Sequence, residues 1–328
     1  MCMATLLELR RRMKRGELIT AMIFAITVFA SLLSVGGAAA RQEPTPTFKS
    51  SVDLVRVNAV VRDRKGRFVT DLSARDFTVL DSGEARPIAE FRHELVGVSV
   101  ALLFDVSGSM ESRLPAAREA GTHVISWLEP RDEASVFTFD TRLDEVTPFT
   151  EGLHALPDKL SSLKPFGATS LDDAIAATAR RTAEREGRQR AVIVFTDGND
   201  NWSQLKPAEV SAIASAIDVP VYIVGLVPAI DNPSASVATV TPDRSPLAGA
   251  LSDLAVWTGG HTFLVSTPAE RSTAARQIVD ELRHQYLIAF EASTVPGWHS
   301  VAVHARDKNF VVRARSGYLA GQSRPISQ

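Results

Sequence analysis

The chain has 328 residues, 45% of them hydrophobic, and a formal net charge of −2. This composition supports one sizeable core with a smaller accessory unit and excludes a disordered chain or a fibre. Basic residues form no long run outside the first fifteen positions, so no nucleic-acid footprint is expected.

The chain opens on Arg10, Arg11, Arg12, Lys14 and Arg15, continues with an apolar segment from Leu18 to Val35, and reaches Ala38-Ala39-Ala40 before Arg41. That order is the pattern of a secretory signal cleaved after Ala40, which predicts a periplasmic or secreted protein. Leu18 to Val35 also matches the shortest membrane-spanning helix, so an uncleaved anchor is the alternative, and only then is the membrane a partner. The single cysteine, Cys2, precedes this segment, which leaves the exported part without a thiol and dependent on packing.

Residues 1–40 are thus read as signal and 41–47 as a Pro/Thr linker. The N-terminal β-strands are expected in 48–95. Val52 to Arg62 alternates in polarity, Asp63-Arg64-Lys65-Gly66 is a turn signal, and Arg67-Phe68-Val69 returns, a hairpin pattern. Asp76 to Leu80 and Pro87 to Phe91 repeat it around Asp81-Ser82-Gly83-Glu84.

From 96 to 284 strands and helices alternate. Strands are expected at Val98–Phe104, Ala134–Phe139, Ala191–Thr196, Val219–Val227 and Thr262–Val265. Helices are expected from about Leu114 to Leu128, then at Leu171–Arg185, Pro207–Ile217, Leu247–Trp257 and Pro268–Arg283. The alternation implies βαβ units and an α/β fold: a doubly wound, mostly parallel sheet with helices on both faces. Pro228 to Pro246 reads as a long mobile loop, with a binding feature as the alternative. Strands return in 285–320, at Gln285–Phe290, Ser300–Ala305 and Phe310–Ala314, and 321–328 is a tail. The simplest arrangement joins the N- and C-terminal strands in one small β-sandwich, with two separate sheets as the alternative.

Two apolar strands end on carboxylates: Val98 to Phe104 runs into Asp105-Val106-Ser107-Gly108-Ser109, and Ala191 to Thr196 runs into Asp197-Gly198. If the first loop stays extended, Asp105, Ser107 and Ser109 point to one side, with Gly108 allowing a tight turn. One carboxylate with hydroxyls suits a hard cation such as Mg²⁺, and further ligands would follow other strand ends at the crevice of the sheet. Thr169, after Gly167 at a helix entrance, is a candidate ligand; alone, Thr169 or Ser170 reads as an N-cap. Asp172, Asp173 and Asp200 read as helix N-terminal charges and a solvated turn. His123, His154, His261 and His284 show no metal-ligand spacing and are assigned structural roles.

Taken together, Asp105-x-Ser107-x-Ser109, Thr169 and Asp197 resemble the metal-ion-dependent adhesion site of the von Willebrand factor A domain family, over roughly Val98 to Arg283. Asp71 to Phe77 and the ending Arg313 to Tyr318 resemble a bacterial subfamily of it. The resemblance implies that Ser107 and Ser109 bind the metal directly, while Thr169 and Asp197 exchange direct and water-mediated positions. It further implies Mg²⁺, with Mn²⁺ or Ca²⁺ as alternatives, and a protein partner whose Asp or Glu carboxylate completes the cation's shell. A metal-assisted hydrolase would also use a strand-end Asp, but where haloacid-dehalogenase-type enzymes carry a second carboxylate this chain has Ser107. No Gly-x-Ser-x-Gly elbow surrounds either serine, so a binding module rather than an enzyme is expected. A scaffold with an empty site is the third reading, and the filling of all five positions opposes it.

Overall fold

The computed structural model describes residues 53–93, 97–185, 187–206, 209–210, 213, 218–228 and 250–321. The expected signal and linker, most of the helix at 207–217, most of the 228–246 loop and the tail after Gly321 lie outside the described residues.

The N-terminal strands are β1 (Leu54–Asp63), β2 (Phe77–Asp81), β3 (Glu84–Arg86) and β4 (Glu90–Arg92). The expected hairpin after β1 is present with a short return arm: Asp63 Oδ1 accepts the amides of Lys65 and Arg67, and Phe68 bridges back to Arg62. The α/β part follows as β5 (Val98–Asp105), α1 (Leu114–Ser126), β6 (Glu133–Phe139), β7 (Leu143–Glu151), α2 (Asp158–Ser162), α3 (Leu171–Ala183), β8 (Gln189–Thr196), β9 (Val221–Leu226), α4 (Ala250–Thr258), β10 (Thr262–Val265) and α5 (Pro268–Arg283). The chain closes with β11 (Gln285–Glu291), β12 (Gly297–Ala305), β13 (Phe310–Arg313) and β14 (Gly317–Ala320).

The central sheet has the order β10-β9-β8-β5-β6-β7, with every neighbouring pair parallel except β6 and β7. Every residue of β5 is buried. Because side chains alternate, Val98, Val100, Leu102 and Phe104 enter the core formed with α1 and α5, while Ala101 and Leu103 enter the opposite core with α3 and α4. Phe104 stacks on Phe195 of β8 at 4.6 Å between centroids, and Gly121 of α1 leaves room for the ring. Helix α5 starts on a full capping box: Thr267 accepts from the Glu270 amide, and Glu270 Oε2 accepts from that of Thr267.

Strand β7 and the short α2 carry no clear signal in the sequence. β7 is an antiparallel edge strand, largely solvent-facing, and it contains Pro148, which only an edge or a bulge accommodates. Its pairing with β6 shifts register near Val136, so regular alternation is lost.

The flanking strands form two four-stranded antiparallel sheets, β13-β1-β11-β4 and β14-β12-β2-β3, so each sheet mixes strands from both ends of the chain. Val55, Val57, Ala59 and Val61 of β1 share one core with Phe77, Val79, Tyr286, Ile288, Phe290, Val301 and Tyr318, the single sandwich rather than two separate sheets. Polar links tie it to the α/β part: Glu281 of α5 receives Arg62 of β1 at 3.2 Å and Arg313 of β13, whose other arm reaches the Gly260 carbonyl. His261 beside this group is held down to about 4, by burial first and then by Arg313, so it stays neutral.

Candidate metal centre

The chain leaves β5 toward β6 and leaves β8 toward β9, so strand order reverses between these two neighbours. A crevice open to ligands is expected at the carboxyl ends of such a pair. Phe104 pairs with Phe195, which sets Asp105 beside Thr196 and places Asp197 at the next position along the rim.

Asp105 is fully buried at the end of β5. Its Oδ2 accepts from Thr196 Oγ1 at 2.7 Å, and its Oδ1 accepts from the Ser107 amide at 2.9 Å. Burial pushes this carboxyl above its usual range against the lowering effect of its donors, and the nearby negative charge of Asp197 adds to the rise.

The loop after Asp105 does not stay extended beyond Ser107. The Asp105–Ser107 contact turns the chain, Met110 N–H donates to the Ser107 carbonyl, and Gly108–Met110 form a 3-10 turn. The two serines converge nonetheless, with Ser107 Oγ and Ser109 Oγ 3.3 Å apart. Gly108 N–H donates to the Gly167 carbonyl at 3.1 Å, and an added Cβ would sit at ordinary contact, 3.4 Å from that oxygen, so neither the turn nor crowding demands a glycine here.

Backbone bonds stitch the remaining loops to this one. Phe166 N–H donates to the Val106 carbonyl, Ser170 N–H to the Asp140 carbonyl, and Asn201 and Trp202 N–H both to the Thr169 carbonyl. The Thr169 amide donates to Asn201 Oδ1 at 2.9 Å, and the residue is buried. Ser170 occupies the N-cap position of α3, but its hydroxyl bonds Asp173 Oδ2 instead of a helix amide. Asp197 Oδ1 accepts from Asn199, and Oδ2 meets Arg113 Nη1 at 3.1 Å.

Asp200 lies in an exposed turn as expected, but Asp172 is less solvated than the sequence suggests. Asp172 is buried, and its carboxyl is pushed up to about 7 by burial and then by Asp200 and Asp173. Asp173 accepts from the Gln204 and Leu205 amides and Asp200 from that of Asp172, so both carboxylates pin the Asp200–Leu205 loop to α3.

Residues 100–199 match the von Willebrand factor type A domain. The match holds all five candidate residues. No curated protein matches the chain. Among solved structures it is similar to an aerotolerance-related membrane protein from Bacteroides fragilis NCTC 9343 carrying multiple mutations to serines, at 21% identity over 57% of this chain and 98% of that one, with a TM-score of 0.46. The conserved hypothetical protein BatB from Bacteroides thetaiotaomicron gives 19% identity, the same two coverages and a TM-score of 0.46. A von Willebrand factor type A protein from Catenulispora acidiphila gives 14% identity over 82% of this chain and 73% of that one, at 0.43.

In the matched region the residues present fit a hard cation. They offer two carboxylates and three hydroxyls, all oxygen donors, and Asp105 is a buried carboxylate facing a second negative charge. Among the described residues no three His, Cys, Asp or Glu side chains cluster to hold a metal, so hydroxyls would have to share the task. Around the crevice Phe166 is 81% exposed and Trp202 is 64% exposed, each one backbone bond from a loop of the site. Nothing in the sequence marks Thr196 or Arg113 for the site, whereas an aromatic residue in each of two polar loops is the signal that marks Phe166 and Trp202.

Proposed function

We propose that the protein is an exported, metal-dependent protein-binding module and not an enzyme. Asp105, Ser107, Ser109, Thr169 and Asp197 would hold Mg²⁺, with Mn²⁺ or Ca²⁺ as alternatives, and an Asp or Glu carboxylate of a partner protein would complete its shell. The observation that supports this reading is the pair of serine hydroxyls 3.3 Å apart beside the buried Asp105 carboxylate, at the strand-order reversal and bonded through the backbone to the loop that precedes Thr169. When bound, the cation would supply an open position for an external carboxylate, since three of its five protein ligands are neutral hydroxyls and one of its two carboxylates is already paired with Arg113. Export rests on the leader pattern before Arg41.

The chain's own residues point to holding rather than reacting. Thr196 and the Ser107 amide fix the Asp105 carboxylate from both oxygens, and Arg113 and Asn199 fix that of Asp197. The exposed Phe166 and Trp202 give the rim the apolar contact that protein interfaces favour. Calorimetric titration of the exported chain with Mg²⁺ and Mn²⁺ tests the metal. Capture of a partner from an envelope extract, lost in chelator and restored by Mg²⁺, tests the binding. Absence of heat with intact protein refutes the reading, and chelator-insensitive capture favours a scaffold.

A further inference from the structure

Arg113 stands at the N-cap of α1, where its side chain caps no amide and no acidic residue occupies the first turn. A cation there opposes the positive end of the helix dipole, and a Ser, Thr, Asp or Asn would serve the helix better. A residue that breaks a local rule is retained for another reason, and its contacts supply one. Its Nη1 donates to the Ser109 carbonyl at 2.9 Å and to Asp197 Oδ2 at 3.1 Å. One guanidinium nitrogen therefore spans two of the loops that build the metal centre, on a side chain about one-third exposed against a buried Asp197 carboxylate.

We propose that Arg113 is a positioning residue that serves as a built-in counter-cation for Asp197, lowering the site's affinity for a divalent cation while leaving the bound cation more attractive to an external carboxylate. This rests on the metal-dependent reading above. With Arg113 in place, Asp197 is already neutralised, so an arriving cation meets the undivided charge of Asp105 alone. Removing the guanidinium returns a full negative charge to the site: the cation should bind more tightly and the carboxylate less tightly. A residue that merely braced the loop would move both affinities down together, and the opposed signs separate the two roles.

The test uses the full exported chain, with Arg113→Gln and Arg113→Lys beside the unaltered protein. Mn²⁺ affinity is read by calorimetry, and acetate, the carboxylate probe, is read by paramagnetic broadening of its methyl resonance in the Mn²⁺-loaded protein. The expected result is Mn²⁺ affinity roughly tenfold higher and acetate affinity several-fold lower in Arg113→Gln, in line with removal of one close unit charge in a partly solvated site. Arg113→Lys, which keeps the charge, should stay within about threefold of the unaltered protein on both readouts. Mn²⁺ affinity that is unchanged or lower in Arg113→Gln overturns the proposal, as does acetate affinity that rises. If the unaltered protein itself binds no Mn²⁺, the metal-dependent reading fails and this proposal goes with it. Circular dichroism at the working temperature confirms that each variant is folded.

Discussion

Replacing Asp172 with Asn should change the pH dependence of stability more than any other single substitution near the site. In the native protein this carboxyl is buried at the start of α3 and pushed up to about 7, by burial first and by Asp200 and Asp173 next. In the unfolded chain it returns to roughly 3.9. The native state therefore holds the proton more tightly. Stability is greatest below about pH 4, falls as the pH rises toward about 7, and is level beyond, where both states are ionised. A gap of roughly three pH units corresponds to about 4 kcal/mol at full development. Asn keeps the shape and cannot ionise. In chelator, Asp172→Asn should be more stable than the unaltered protein by up to about 4 kcal/mol at pH 8 and within about 1 kcal/mol of it at pH 4. Urea unfolding at the two pH values measures both differences, and an equal offset at pH 4 and pH 8 would refute the assignment of the strain to this carboxyl.

Asp105→Asn should abolish Mn²⁺ binding by calorimetry with a modest change in melting temperature, because the carboxamide oxygen can still accept from Thr196 or the Ser107 amide. Gly121→Ala should lower stability by about 1–3 kcal/mol in urea unfolding, since the new Cβ would lie 2.5 Å from Phe104 Cζ on a ring packed against Phe195. The pair Phe166→Ala and Trp202→Ala should leave stability within about 0.5 kcal/mol, as both rings are exposed, yet reduce Mg²⁺-dependent capture of a partner while Mn²⁺ affinity holds.

The central sheet was legible because its strands are buried on both faces and so read as unbroken apolar runs: Val98 to Phe104 and Ala191 to Thr196 advertise themselves. The edge strand β7 was not, because one solvated side and Pro148 leave it no period to detect. The pairing of β1 with β11 could be guessed only from the rule that flanks meet, since no local feature of Leu54–Asp63 names a partner more than two hundred residues away. At the site, Asp105, Ser107, Ser109 and Asp197 stand out by strand ends and hydroxyl spacing, whereas Thr169 reads alone as an N-cap and joins them only through the family resemblance. The route by which the two serines converge is not legible in the sequence. An extended loop and a 3-10 turn can both bring Ser107 toward Ser109, and the choice depends on Asp105 Oδ1 finding the Ser107 amide. Arg113 escaped notice for a related reason: its value lies in Asp197, which is 84 residues away in the chain.

The way the loops are joined bears on how the centre would work. Val106 to Phe166, Gly108 to Gly167, Asp140 to Ser170 and Thr169 to Asn201 and Trp202 are all backbone bonds, so they do not depend on which side chains line the crevice. Loops held in this way have lost their conformational freedom at folding, and a cation arriving later need not order them. What remains adjustable is charge: Asp105 is locked by two donors, whereas Asp197 shares its oxygens with an exposed asparagine and a part-exposed arginine. A centre with a rigid frame and one carboxylate of variable engagement can alter its grip on a cation without remodelling the fold. Substitutions at Arg113 or Asn199 should therefore change affinity with little change in stability.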